Sequence, residues 1–336
     1  MSGCSRLRWS EYVDEEMSRS VSVGECRTAA VIVSYNSDGS ALSRMLRVLL
    51  PEMFAVFVVD NSDNAEKAEA IESTAQGLDA RYLGLGGNHG IAAAQNFGAR
   101  CAVSGGATSV LFLDDDSRID SDSLRRLLLR YENAQQSDPQ VVAVGPLITD
   151  TRTGTCLAYI WSRNRIVRVS NVRPDCLSIE AAFLVSSGSL IDAQAFDSVG
   201  YFEEGYFIDH VDKEWGLRAG ACGKKMLVMP DVRMDHELGE SVDSVSSTAL
   251  PFGHNNPIRD YYLTRNAIFL LIDCKLSLRR RLWLGGTSVV YTVYKLILPS
   301  VAGQRKMVLD GIIDGVRRKE GKYGARVVPS SGLEVE

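Results

Sequence analysis

Three consecutive carboxylates, Asp114, Asp115 and Asp116, follow the apolar run 110–113 and precede Ser117. A buried strand ending there puts the alternate side chains at 114 and 116 on one face, projecting together into a cleft beyond the strand's carboxyl edge. Adjacent anions repel, so a cation or a set of donors must offset them. Hard oxygen ligands suit Mg2+ or Mn2+, and the triplet reads as a metal site for a nucleotide diphosphate. The plainer alternative is a solvated acidic turn capping the helix that begins near Asp122. Asp60, at the end of another apolar run, is placed to accept hydrogen bonds from the imide N–H of a uracil or thymine ring, or from ribose; otherwise it caps the next helix. Further on, Asp209, Asp212 and Glu214 crowd together beside Lys213 and Arg218. Like charges raise a carboxylate's proton affinity and basic neighbours lower it, so one of the group can be tuned for proton transfer.

The elements that must position these groups alternate. Strands are expected at 29–34, 54–60, 80–83 and up to the triple Asp, with helices at about 40–50, 65–76 and 91–103 between them. Strands separated by helices of this length predict a mostly parallel, doubly wound α/β sheet whose ligand cleft lies beyond the strand carboxyl ends. Strands are also expected at 141–145, 155–159 and 181–185, within one continuous sheet. The division is a 1–27 N-terminal extension, a 28–275 domain (28–137 nucleotide-binding, 138–275 acceptor half) and a 276–336 C-terminal helical segment.

Composition excludes several classes. The formal net charge of −5 over 336 residues argues against a nucleic-acid binder. Seven scattered cysteines without Cys-x-x-Cys or zinc spacing suit a reducing, cytoplasmic setting, and residues 1–27 lack an apolar signal core. The Gly84–Gly90 loop carries His89 where a dinucleotide fingerprint needs its third glycine, and no phosphate loop appears. Instead, Asn88, His89, Gly90 and the small residues after them open a helix whose free backbone N–H groups can approach a ligand. Asn96 interrupts that helix's apolar stretch as a ligand contact or an internally satisfied amide. Arg265 offers a fork of donors to a diphosphate, or forms a surface ion pair with Asp260 or Asp273. The apolar run 282–298 is short for a bilayer span of roughly 20 residues. Flanked by Arg279–Arg281 and Arg317–Lys319, it suits either a peripheral seat on anionic lipid or a core or dimer helix.

In their order and spacing, Val33-Ser34-Tyr35-Asn36, Val59-Asp60-Asn61-Ser62, the Asn88 to Gly98 run and Leu113-Asp114-Asp115-Asp116-Ser117 resemble family 2 glycosyltransferases of the GT-A fold. Within that family the chain is most similar to bacterial rhamnosyltransferases that use dTDP-L-rhamnose. The resemblance continues through Gly188, the 200–218 segment and Tyr261 to Asn266, and so covers about residues 28–275.

It implies that Asp60 reads the base, Asp114 the ribose or the metal, and Asp116 the metal on the diphosphate. Ser34, Asn36, Asn88, Gly90, Asn96, Asp115 and Arg265 join the nucleotide-sugar site, and His236 completes the cation's ligands. The base falls on Asp212, with Asp209 competing because Val211 stands where many relatives have Glu. The implied reaction moves L-rhamnose with inversion to a hydroxyl of a saccharide acceptor, expected to be lipid-linked, in cell-surface polysaccharide synthesis. A UDP-hexose donor and a non-catalytic nucleotide-sugar binder are the competing readings, and self-association of the chain stays open.

Overall fold

Strand β1 (Thr28–Ser34) is buried along its whole length, as a central parallel strand with both faces covered must be. It pairs in parallel with β2 (Ala55–Asp60) on one side and β4 (Ser109–Asp114) on the other, and β2 pairs with β3 (Arg81–Gly84). The sheet continues through β9 (Leu190–Asp192), β5 (Val141–Asp150), β10 (Lys225–His236) and β8 (Ile179–Glu180), in the order β3-β2-β1-β4-β9-β5-β10-β8. Only β9 and β8 run against the others on that path, so the expected mostly parallel sheet is present. A ribbon of β6 (Cys156–Ser162) and β7 (Arg165–Val169) branches from β5. The computed structural model describes residues 26–150, 156–169, 176–236, 256–298 and 303–324. Nearly all of the 1–27 extension lies outside them.

Alternation along β1 feeds two cores. Ala29, Val31 and Val33 pack with Phe57, Val59, Phe97 and Phe112 under α3 (Ile91–Ser104). Ala30 and Ile32 pack with Leu113 and with α1 (Ser40–Leu49) and α4 (Ser121–Ser137). Helix α1 buries Leu42, Met45, Leu46 and Leu49, the spacing of one helical face. Helix α3 lies so close to the sheet that a Cβ on Gly98 would come within 2.5 Å of Val31 Cγ1. Helix α2 (Ala65–Gln76) is capped by Asn64 and α4 by Asp120, each accepting from a backbone N–H in the first turn. Neither Asp60 nor the 114–116 triplet is a helix cap.

The expected strand at 181–185 is absent apart from an isolated bridge between Tyr159 and Phe183. Its apolar character has another cause: Phe183 lies against Gly216 and Leu184 against Gly145. Burial between layers produces the same residue pattern as strand pairing.

The C-terminal part packs as α7 (Pro257–Asp273), α8 (Leu278–Ile297) and α9 (Gln304–Val316). Lys295, which interrupts the apolar run in the sequence, is fully buried on α8, with its ammonium 3.5 Å from the equally buried Asp260 of α7. Asp260 also accepts from Tyr291 of α8 and Gln304 of α9. An ion pair taken out of water depends on both partners, so Asp260→Ala strands the Lys295 charge. The expected loss of unfolding free energy is about 3–5 kcal/mol, measured by denaturant titration; a loss below about 1 kcal/mol would refute a stabilising role for the cluster. Among the described residues, no helix is long and apolar enough to cross a membrane.

Candidate active site

The strand tips converge on one edge of the sheet. Asp60 ends β2 almost fully buried, its Oδ2 accepting from Tyr82 Oη of β3 at 2.9 Å and its Oδ1 from Ser62 N at 3.1 Å. Next to it, Asn61 Nδ2 donates to Asn88 Oδ1 at 3.3 Å, and Asn88 Oδ1 also accepts Gly90 N at 3.0 Å. On the β1 side, Ser34 Oγ donates to Asp115 Oδ2 at 2.6 Å. Asn36, in the left-handed region at φ 53°, donates its side chain to Asp63 at 2.9 Å and its backbone N–H to Ser62 Oγ at 2.8 Å. These bonds lock together the loops after β1, β2 and β3.

At the tip of β4, the backbone N–H of Asp114 donates to Ser187 Oγ at 3.1 Å. Asp114 and Asp115 are half-buried and Asp116 is exposed. Burial, then the charges of Asp116, Asp115 and Asp212, push the Asp114 carboxyl up to about 7. Asp115 is also raised, chiefly by burial, while the Ser34 and Ser37 hydroxyls pull it back. A cluster of oxygen anions that raise one another's proton affinity is the donor set a hard divalent cation fits. The charge of Asp116 acts on the Asp114 carboxyl, so the two share one local environment. Among the described residues no three His, Cys, Asp or Glu side chains gather closely enough to hold a metal by themselves. The side chain of His236, the expected third ligand, lies outside the described residues, though its backbone closes β10.

Beyond the short helix α5 (Ala193–Ser198), Asp212 occupies the first turn of α6 (Val211–Ala221). Burial pushes its carboxyl up to about 6, against the backbone N–H groups of Lys213 and Ser186, with the Asp209 charge adding to the rise. It is thereby poised to exchange a proton near neutrality. Asp209, the competitor, is tied to Arg259 in an ion pair of 2.6 Å with its side chain 8% exposed, so its oxygens already face a guanidinium.

The turn that presents Asp212 is unusual. Phe207, Asp209 and His210 all have positive φ, at 65°, 61° and 65°. Such residues each cost on the order of 1–3 kcal/mol and persist only when their surroundings enforce them. A predicted ligand contact, Arg265, and its neighbour Asn266 supply that enforcement. Arg265 is fully buried and its guanidinium donates to the carbonyls of Gly205 and Tyr206 at 3.1 and 2.8 Å and of Gly321 at 2.6 Å. Its neighbour Asn266 donates to Tyr206, Ile208 and Asp209 carbonyls at 3.0, 2.7 and 2.9 Å. Arg265 therefore braces the turn and does not reach a diphosphate; nor is it a surface ion pair, since Asp273 pairs with Arg318 and Asp260 with Lys295.

Asn96 is likewise corrected. Buried at 1% exposure, it donates to Phe202 O at 2.9 Å and Glu204 Oε1 at 2.8 Å and accepts Phe202 N at 3.0 Å. Its amide fixes α3 to the 202–204 segment. Gly90 also serves the fold: at φ 90° a Cβ there would lie 2.6 Å from Phe207 O, which accepts Ile91 N at 2.7 Å. The N–H groups of Gly90 and Ile91 at the start of α3 are thus spent internally.

The sequence reading missed Tyr82, Ser186 and Ser187. Tyr82 carries no motif signal, whereas Ser186-Ser187 directly before Gly188 is a run of small polar residues at a strand-edge turn. Gln95 joins them, donating to Ser186 Oγ at 2.6 Å.

Residues 29–197 match the family model described as Glycosyl transferase family 2. The chain is similar to the dTDP-rhamnosyl transferase RfbF of Shigella flexneri, 29% identical over 243 residues that cover 72% of this chain and 79% of that protein. Solved structures share the fold. S. aureus TarS superposes with a TM-score of 0.54 at 13% identity, over 87% of this chain and 49% of that protein. TarS 1–349 in complex with UDP-GlcNAc gives 0.53 at 14% identity, over 87% of this chain and 81% of that one. The mannosyltransferase PcManGT of Pyrobaculum calidifontis, in complex with GDP-Man and Mn2+, gives 0.53 at 14% identity, over 88% of each chain.

Proposed function

The chain belongs to glycosyl transferase family 2 and has the GT-A fold, and on that premise we propose that it moves L-rhamnose from dTDP-L-rhamnose, with inversion, to a hydroxyl of a saccharide acceptor in cell-surface polysaccharide synthesis. The observation that carries the reading is the Ser186-Ser187 pair that links α6 to the tip of β4: Ser187 Oγ accepts the Asp114 N–H at 3.1 Å, and the Ser186 backbone N–H bonds Asp212. It sets a proton acceptor beside the carboxylates suited to a donor's diphosphate. The rhamnosyl donor is supported by the likeness to RfbF.

In the mechanism, Asp60 takes the base's imide N–H, its orientation fixed by Tyr82 and the Ser62 backbone. Ser34 holds Asp115 against β1. Asp114 and Asp116 would hold Mg2+ or Mn2+, which supplies Lewis-acid neutralisation of the departing diphosphate. Asp212 removes the acceptor hydroxyl's proton as that oxygen forms the bond to the anomeric carbon. A single displacement requires no enzyme nucleophile.

The acceptor is proposed to be lipid-linked, with the 276–336 segment seating the 28–275 catalytic unit on the cytoplasmic membrane face. Helix α8 carries no carboxylate, exposes Leu278, Leu282, Val289, Val290, Val293 and Ile297, and begins with exposed Arg279 and Arg281, a pattern suited to an anionic lipid surface.

Thymine and uracil present the same imide edge to Asp60, so the donor's sugar must be tested directly. Purified protein with Mn2+ is given dTDP-rhamnose, UDP-GlcNAc and UDP-glucose, with and without phosphatidylglycerol vesicles, and donor hydrolysis is followed with water standing in for the acceptor hydroxyl. Consumption of dTDP-rhamnose at least about tenfold faster than of either UDP-sugar, a difference of about 1.4 kcal/mol, and pelleting with the vesicles are expected. Turnover of UDP-sugars alone rejects rhamnose; protein left in the supernatant rejects the lipid seat.

A further inference from the structure

Helices α6, α7 and α8 border an open cavity of about 150 Å3 whose polar lining includes His210, Lys213, Thr264, Thr287, Ser288 and Tyr291. Seams between packed helices are ordinarily apolar, and this one carries an unmet polar group. Thr264 is 3% exposed, and its hydroxyl has no hydrogen-bond partner among the described residues. Buried hydroxyls left in that state are costly, and a ligand that bonds to them removes the cost.

The remaining lining says which chemistry fits. Thr287 and Ser288 both donate their hydroxyl protons to Leu284 O, at 2.9 and 2.8 Å, and Tyr291 donates to Asp260. With those protons spent, the three oxygens present lone pairs and act as acceptors. Donors come from the Lys213 ammonium and the Thr264 hydroxyl. His210 is held neutral by burial and by the Lys213 charge, and so offers one donor and one acceptor. A phosphate or carboxylate needs donors throughout and would face three occupied hydroxyl oxygens. A cation would face Lys213, and an alkyl chain would leave Thr264 unpaired. Groups that donate and accept at once, at several points around a small ring, satisfy the whole set.

We propose that this cavity is a subsite for one pyranose ring of the acceptor saccharide. The proposal rests on the glycosyltransferase reading. His210 and Lys213 flank Asp212 in the chain, so the turn that presents the base also forms one wall of the pocket. Helix α8 forms another wall with its inner face and exposes the apolar stripe outward, which brings a ring bound here close to whatever surface that stripe contacts.

The test uses the full chain and the methyl glycosides of glucose, galactose, mannose, rhamnose and N-acetylglucosamine, with inorganic phosphate as the anion control. Saturation-transfer NMR reads glycoside binding, and dTDP-rhamnose affinity is measured on the same preparation. Thr264→Val removes the hydroxyl at nearly constant shape, and Thr292→Trp fills the cavity; thermal midpoints confirm that both fold. At least one glycoside is expected to bind the native chain, with binding at least about tenfold weaker in both variants and donor affinity unchanged. Glycoside binding that survives in both variants, or phosphate binding that Thr264→Val abolishes while no glycoside binds, overturns the subsite. A native chain that binds dTDP-rhamnose and no glycoside overturns the subsite alone, and one that binds neither overturns the functional reading with it.

Discussion

Asp212→Asn is expected to transfer sugar about 10²- to 10⁴-fold more slowly than the native chain, the usual contribution of a positioned general base. Donor affinity is expected to change little, because Asp212 acts on the acceptor's proton. The amide is nearly isosteric and can still accept the Lys213 N–H, which bonds Asp212 Oδ1 at 2.7 Å. The fold therefore persists, and the loss reports chemistry. The native pH profile supplies the second readout. Burial raises the Asp212 carboxyl to about 6, and the base works only when ionised, so kcat/KM should fall about tenfold per pH unit below about 6. In the Asn variant that limb disappears from the residual rate. Native-like turnover by Asp212→Asn would remove the residue from the mechanism. An Asp209→Asn variant slower than Asp212→Asn, with its fold intact, would transfer the role to Asp209.

Asp114→Asn is expected to stabilise the free protein and abolish its use. The Asp114 carboxyl is raised to about 7, first by burial and then by Asp116, Asp115 and Asp212, whereas in the unfolded chain it titrates near 4. Between those values the folded state holds the extra proton. This group's contribution to stability is therefore fully present below about pH 4 and lost as pH rises through about 7. An asparagine never ionises. The variant should be more stable than the native chain at pH 8, with the difference closing towards pH 4. Solvent contact at this half-buried carboxyl holds the gain to about 1–2 kcal/mol. Mn2+ with dTDP is expected to stabilise the native chain by about 2.7 kcal/mol at a hundredfold excess over Kd, and the same variant should lose that effect. Denaturation at pH 4, 6 and 8, with and without Mn2+ and dTDP, reads both effects. A variant less stable than native at pH 8, or one that keeps its response to Mn2+ and dTDP, contradicts the assignment.

The chain keeps an acidic cluster in which neighbouring charges raise the Asp114 carboxyl, and it keeps Asp212, the proposed base, behind a turn with three positive-φ residues. Both costs are confined to the edge of the sheet where the strands end. The surrounding structure is made to bear them: Arg265 and Asn266 hold the turn through five carbonyl bonds, and Ser187 holds the backbone of Asp114. This explains why a fully buried arginine and an asparagine sit side by side on α7. The signal that made Arg265 look like a ligand contact, a fork of donors in an otherwise apolar helix, is the signal of a side chain bonded to backbone carbonyls. The two uses differ only in what faces the fork.

By itself the sequence determined the β1 to α4 half of the fold, because hydrophobic periodicity is local and each strand and helix there is long enough to express it. It also placed Asp60 and Asp114 to Asp116 at strand ends, since the end of an apolar run is legible within a few residues. The antiparallel insertion of the three-residue β9 was decided only in three dimensions, as was the failure of 181–185 to become a strand, because short segments take their pairing from neighbours distant in the chain. The separation of working carboxylates from braces was decided there too. Asp212 differs from Asp209 by the presence of Arg259, and Asn96 and Arg265 differ from ligand contacts by the carbonyls that happen to face them. Those partners lie tens of residues away, and a polar side chain's role is set by what its hydrogen bonds reach.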